Sequence, residues 1–207
     1  MLKLSSANKL GLTGWQLGKV TGMTAKRTSR DRMIASGAQL FQRRGYHGTG
    51  LIEILEASGA PKGSFYHHFP EGKEQLAEAA MSQAGQVVQA MIDRAFAGAS
   101  SFSEGANILS RAIADWFEKS DFSEGCPITS VLLETVPGSE RLGAASELIF
   151  NTWIGTAESH AVRLGRASEA NELATGLLIA LEGAWIVARA QRSRRPFEIA
   201  AAFFVES

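Results

Sequence analysis

The sequence predicts an all-α protein, with a small basic three-helix domain at the front and a larger acidic helical bundle behind it. Three observations carry this reading. Apolar residues recur at spacings of three and four along most of the chain, and no segment alternates as a half-buried strand does. Breakers such as Pro70 and Gly72, or Pro137 and Gly138, separate the periodic runs. Charge is segregated too: residues 1–22 carry +3, residues 23–69 carry +4 and residues 70–207 carry −7, summing to zero net charge. A basic front on an acidic remainder suits a protein that meets a polyanion at one end; chance segregation is the plain alternative. Hydrophobic residues are 45% of the 207, enough to bury a core.

Residues 1–28 are rich in Ser, Thr, Gly and Lys without a sustained period, and read as a mobile basic tail. A basic arm lying along DNA is the functional alternative, and Met23 is an alternative translation start. The chain shows no leader-type apolar segment at its start and no continuous apolar run of 18 residues. Cys126, the lone cysteine, cannot close an internal disulfide; with no spanning run, the expected location is cytoplasmic.

A first helix is predicted over Ser29–Arg44, with Ile34, Ala38 and Phe41 on its buried side, Ser29 as N-cap and no capping box. Gly45 ends it. Thr49 is expected to cap a second helix carrying Leu51, Ile54 and Leu55. Gly59 permits a sharp turn, and Pro61 suits the first position of a third helix reaching Phe69. In that helix Phe65 and Phe69 face inward, leaving Lys62, Gly63, Ser64, Tyr66 and His67 outside. A long helix follows over about Lys73–Ala97, with Leu76, Ala80, Ala84, Val87, Met91 and Ala95 in its apolar stripe. Further helices are predicted over Ser103–Lys119, Val131–Val136, Arg141–Leu164, Ala170–Arg192 and Pro196–Val205. The domains are therefore 1–28, 29–72 and 73–207, and no internal repeat is present.

Two short helices joined by a glycine turn are common in helical proteins. Here the second is short and polar on one side, which suits a major groove about 12 Å wide. Lys62 supplies a phosphate charge; Ser64 can bond a base edge or a phosphate; Tyr66 and His67 can donate to phosphate oxygens. His67 and His68 point about 100° apart on a helix and cannot chelate one metal as an i,i+4 pair would, so no metal site is expected. Cys126 has Glu124 nearby and no flanking base, which favours a packed thiol over a redox sensor.

The run GYHGTGLIEILEASGAPKGSFYHHFPEGKEQL resembles the N-terminal signature of TetR-family transcriptional repressors over roughly residues 29–80. With GCPITS further on, it is similar to the branch that includes LmrA/YxaF-type regulators of antibiotic-resistance and flavonoid-response genes. The resemblance implies DNA contacts at Thr49, Gly50, Lys62, Gly63, Ser64, Tyr66, His67 and Lys73. Three positions depart from the pattern: Gly50 stands where a hydroxyl is usual, Ile52 where a long basic residue is frequent and Pro61 where Ser is usual. The second helix is thereby poor in contacts.

The resemblance also implies an effector-binding and dimerising second domain. Met91, Trp116, Phe117, Trp153 and Trp185, with Phe122 and His160, are candidate pocket residues for a small hydrophobic, partly aromatic effector; ordinary core packing is the alternative for each. The later helices carry Ala144, Ala145, Gly155, Ala157, Gly176, Ala180, Gly183 and Ala184, small residues that suit close helix packing, either within the bundle or at a homodimer interface. The expected function is a ligand-responsive dimeric repressor on a palindromic double-stranded DNA operator. The rival is an all-α small-molecule-binding protein without DNA binding. No phosphate-binding glycine loop, His-Glu-x-x-His, nucleophile elbow or Cys–His arrangement is present, so neither an enzyme nor a cofactor is expected.

Overall fold

The computed structural model describes residues 27–204. The expectation of a tail or arm over residues 1–28 lies outside the described residues as far as residue 26, as does that of a start at Met23; Thr28 belongs to the first helix as its cap. Among those described, the chain is helical throughout: α1 (Ser29–Arg44), α2 (Leu51–Ser58), α3 (Phe65–His68), α4 (Lys73–Ala97), α5 (Phe102–Lys119), α6 (Thr129–Thr135), α7 (Glu140–Arg163), α8 (Ala170–Gln191) and α9 (Arg195–Ala202). Two compact units divide it. One holds residues 27–88 and 123–151, the other 89–122 and 152–204. Both α4 and α7 contribute residues to each unit.

In the first unit, α1 spans the predicted residues, but its cap lies one position earlier than expected. Thr28, not Ser29, is the N-cap, and a capping box is present after all. The shorter Asp31 carboxylate accepts from the Thr28 N–H at 3.1 Å and from its hydroxyl at 2.7 Å, and the Asp31 N–H donates back to the Thr28 hydroxyl. These bonds, the hydroxyl one first, hold the Asp31 carboxyl below the usual range against its partial desolvation. Met33, Phe41, Ile54, Phe65, Phe69 and Leu76 fill the core, each at most 1% exposed. In α4, Val88 rather than Val87 is buried. Helix α6 packs on α1. There the buried Gln42 amide donates to the Gly125 carbonyl at 3.1 Å, and Arg43 pairs with Glu124 at 2.7 Å. Arg141 of α7 pairs with Glu71 at 2.6 Å and with Glu78 at 3.3 Å.

In the second unit, α9 packs on both α5 and α8. The Ser110 hydroxyl donates to the Phe197 carbonyl at 2.5 Å inside this contact. Arg194 ties α9 to α5 through Asp115 and Glu118. Among the described residues, the non-glycine positions with positive φ are Asp121, Phe122 and Arg192, and they meet: Arg192 pairs with Asp121 and lies 5.7 Å over the Phe122 ring. Within Ala167–Gln191 an 18-residue window has a mean hydropathy of 1.5, long and apolar enough to cross a membrane by length and composition. The continuous-run criterion missed it because Gly, Thr and Glu interrupt the run while the average stays high.

Gly105 sits directly against the fully buried Phe96 ring, where an added Cβ would overlap it. Gly105→Ala is expected to cost about 1–3 kcal/mol through overpacking. Chemical denaturation of the variant beside wild type measures this.

Candidate nucleic-acid interface

The polar face predicted from the sequence is built by a change of helix type. Gly59 closes α2 in a left-handed conformation (φ 59°, ψ 25°), which glycine adopts without a Cβ penalty. Pro61 then leads into a 3-10 turn over Lys62–Ser64, and only from Phe65 does the chain become α-helical. The predicted continuous helix from Pro61 is thus two short pieces: Pro61 is extended (φ −60°, ψ 133°) and stands outside the helix, and its carbonyl closes a three-residue turn by accepting from Ser64. Ser64 donates twice to the Pro61 carbonyl, from its N–H at 2.9 Å and its hydroxyl at 2.7 Å.

Phe65 and Phe69 anchor this element from below, both 0% exposed with ring centroids 5.5 Å apart. Their four-residue spacing leaves Lys62, Gly63, Tyr66 and His67 on the surface. Tyr66 is 65% exposed although apolar in most of its area, with its ring edge-on to Phe65. A Cβ at Gly63 would meet nothing within 4 Å, so that backbone is open to close approach. Ser64 is half-buried. Arg30, exposed at the start of α1, reaches over Phe69 with its guanidinium 5.4 Å from the ring, adding a cation beside the element. Sequence reading counted Arg30 only in the charge sum, since its neighbour lies 39 positions away. Among the described residues no group of three His, Cys, Asp or Glu is placed to hold a metal.

The remaining residues of the expected DNA set are placed differently. Thr49 is fully buried; its hydroxyl donates to the Gly45 carbonyl at 2.8 Å. It is not the cap of α2. Gly50 is, and its N–H donates to Glu53 at 2.9 Å. That bond, followed by the one from Arg44, holds the Glu53 carboxyl below its usual range. Gly50 itself is exposed. The Lys73 ammonium donates to the Tyr46 carbonyl at 2.6 Å and lies 4.2 Å over the Tyr46 ring. Burial pushes its pKa down, while the Glu134 charge opposes that shift.

The candidate effector residues Met91, Trp116, Phe117, Trp153 and Trp185 are all buried in the second unit. Trp116 and Phe117 of α5 both meet Trp185 of α8, at 5.5 and 6.3 Å between ring centroids. Phe197 of α9 completes the cluster, 6.1 Å from Phe117 and 5.8 Å from Trp185. It was missed because only the packing of α9 on α5 and α8 brings it there. Phe122 lies edge-on to Phe117 at 5.5 Å, whereas His160 stacks on Phe96 and bonds Asp93 at 3.0 Å.

Among the described residues the chain is all-α, and its front unit has the architecture of a helix-turn-helix with a short, exposed polar second element. Residues 33–80 match the family model for bacterial regulatory proteins of the tetR family, and residues 103–203 match that for the LmrA/YxaF-like transcriptional regulator C-terminal domain. The HTH-type transcriptional regulator YxaF of Bacillus subtilis is 33% identical over 175 residues, spanning 84% of this chain and 92% of that one. The HTH-type transcriptional regulator LmrA of the same organism is 31% identical over 169 residues, spanning 81% and 90%. A solved cysteine mutant of the TetR family transcriptional regulator CifR, complexed with 26bp double-strand operator DNA, superposes with a TM-score of 0.72 at 25% identity, covering 87% of this chain and 98% of that one. The chain belongs to the TetR family of transcriptional regulators, in its LmrA/YxaF-like branch, and that family consists of DNA-binding regulators rather than enzymes.

Proposed function

We propose that this protein is a cytoplasmic, dimeric repressor that holds a palindromic operator and releases it when a small hydrophobic effector binds. The observation that carries the reading is the exposed Lys62–His67 face standing on the buried Phe65–Phe69 pair. Lys62, Tyr66 and His67 supply donors for phosphate and base edges, Gly63 lets the backbone approach, and Arg30 adds a flanking cation. Gly50 contributes through its surface backbone. Thr49 and Lys73 serve the operator by holding the turn that precedes α2, rather than by direct contact.

The second copy docks on the outer face of α8. Ile179 and Ile186 are 67% and 62% exposed there, Val187 is exposed beside them, and a Cβ at Gly183 would meet nothing within 4 Å. Gly155 and Val162 give α7 a similar open, apolar side. Apolar helix faces with open glycines suit close self-packing, and two reading heads suit a palindrome. Replacing Ile179 and Ile186 with Glu is expected to convert the dimer to monomer at micromolar concentration, as read by sedimentation equilibrium.

The effector enters among the aromatic residues of the second unit, with Met91, Trp116, Phe117, Trp153 and Trp185 around it. Release requires that it bind the DNA-incompetent state more tightly, since equal affinity for both states shifts nothing. Helix α4 begins directly after the reading element and carries Met91, so it is the natural lever. The test is selection of duplexes from a randomised pool by the full chain. An enriched inverted repeat, released by a hydrophobic compound that also raises the melting temperature, supports the reading; no enrichment overturns it in favour of a carrier without DNA binding.

A further inference from the structure

We propose that Glu134, on α6, is a positioning residue for the DNA-reading element. The inference rests on the DNA-binding reading above and concerns the turn between α1 and α2. Glu134 engages that turn in three ways. Its carboxylate accepts the His47 main-chain N–H at 2.7 Å. Its main-chain carbonyl lies 3.1 Å from the His47 Nε2, which therefore carries the proton and donates. Its carboxylate also lies directly against Gly45, where an added Cβ would push it aside; the φ of +73° is what requires glycine there.

The residue between these two is held as well. The Tyr46 carbonyl accepts from the Lys73 ammonium and, at 3.3 Å, from the Thr49 N–H. Gly45, Tyr46 and His47 are thus each fixed by a group outside α1 and α2. The turn leads straight into the Gly50 cap, so its position sets where α2 begins, and α2 through Gly59 sets where Lys62–His67 stands. The links of Gln42 to Gly125 and Arg43 to Glu124 hold the end of α1 itself. Glu134 is the contact beyond that end: it bonds the turn, and its charge reaches Lys73, which holds the Tyr46 carbonyl.

Glu134 also lies in the stretch matching the C-terminal domain model, whereas the turn lies in the stretch matching the N-terminal one. In the fold, however, Glu134 and the turn belong to the same compact unit, so their bonds lie inside it. A bond from a main-chain N–H to a carboxylate is charge-assisted, shorter and stronger than a neutral one. Glutamine can still accept that N–H; alanine cannot.

The experiment compares wild type, Glu134→Ala and Glu134→Gln on a duplex selected by wild type from a randomised pool, with amide hydrogen exchange of each protein. Glu134→Ala is expected to lose at least tenfold in affinity and to exchange the His47 amide faster, with α1 core amides unchanged. Glu134→Gln is expected to stay within threefold of wild type and to keep that amide protected. Wild-type affinity in Glu134→Ala, an equal loss in Glu134→Gln, or faster exchange throughout α1 would each overturn the proposal. If wild type selects no duplex, the DNA-binding reading fails on its own, and the His47 exchange rates still decide whether Glu134 holds the turn.

Discussion

Replacing Lys62 and Tyr66 together by alanine is expected to lower operator affinity by about three orders of magnitude or more, at roughly 1–3 kcal/mol for each lost contact on each of two reading heads. Both side chains are exposed, so the fold loses little with them. The melting temperature and the sedimentation behaviour of the double variant are expected to match wild type. The salt dependence should change in a specific way. Each phosphate contact contributes about one unit to the slope of log affinity against log salt. Removing Lys62 from both copies of a dimer should therefore flatten that slope by about two. An unchanged slope with weaker binding would place Lys62 away from the phosphates and leave the loss to Tyr66.

The second large effect is expected from beneath the same element. Phe69→Ala removes a fully buried ring that packs on Phe65 and supports the Arg30 guanidinium. Truncating a buried phenylalanine costs about 3–5 kcal/mol, a large fraction of the stability of a domain this size. Denaturant titration followed by circular dichroism should show the earlier midpoint. DNA binding should fall as well, even though Lys62, Tyr66 and His67 are all retained, because an element of seven residues has too little structure of its own to hold their spacing. The two variants thus separate loss of the contacts from loss of their support.

Much of this architecture is legible in the sequence because helices leave a periodic record. The ends of α1 and α4 agree with the spacing of Ile34, Ala38 and Phe41 and of Leu76, Ala80 and Ala84, and α5 to α9 fall within a few residues of their predicted bounds. Caps are harder to read, because several polar residues compete for one helix start. Thr28 wins over Ser29 since Asp31 sits three residues beyond it, and Gly50 wins over Thr49 since Glu53 does the same for it. The break between Lys62–Ser64 and Phe65–His68 is likewise invisible to periodicity, because the 3-10 turn is three residues long with no apolar side chain to mark its period, and Phe65 and Phe69 both lie beyond it.

Long-range partners leave no local record at all. Nothing near Glu134 in sequence points to His47, which is 87 positions away, and nothing near Phe197 points to Trp185 across the α8–α9 turn. The same holds for Lys73. Its place in the family pattern implies a phosphate contact, yet its ammonium is engaged by the Tyr46 carbonyl and ring. Placement that follows from helical periodicity was readable; placement set by a partner that tertiary packing brings in was not.

The central claim is that the Lys62–His67 face reads DNA, and a salt series of gel shifts tests it most directly. The full chain is titrated on a duplex spanning the region upstream of its own coding sequence, beside a scrambled duplex of the same length and composition. The account predicts selective binding whose affinity falls steeply and linearly in log–log form as salt rises, and whose selectivity is lost in the Lys62→Ala, Tyr66→Ala double variant. Equal binding to both duplexes, or binding that the double variant retains in full, would contradict it.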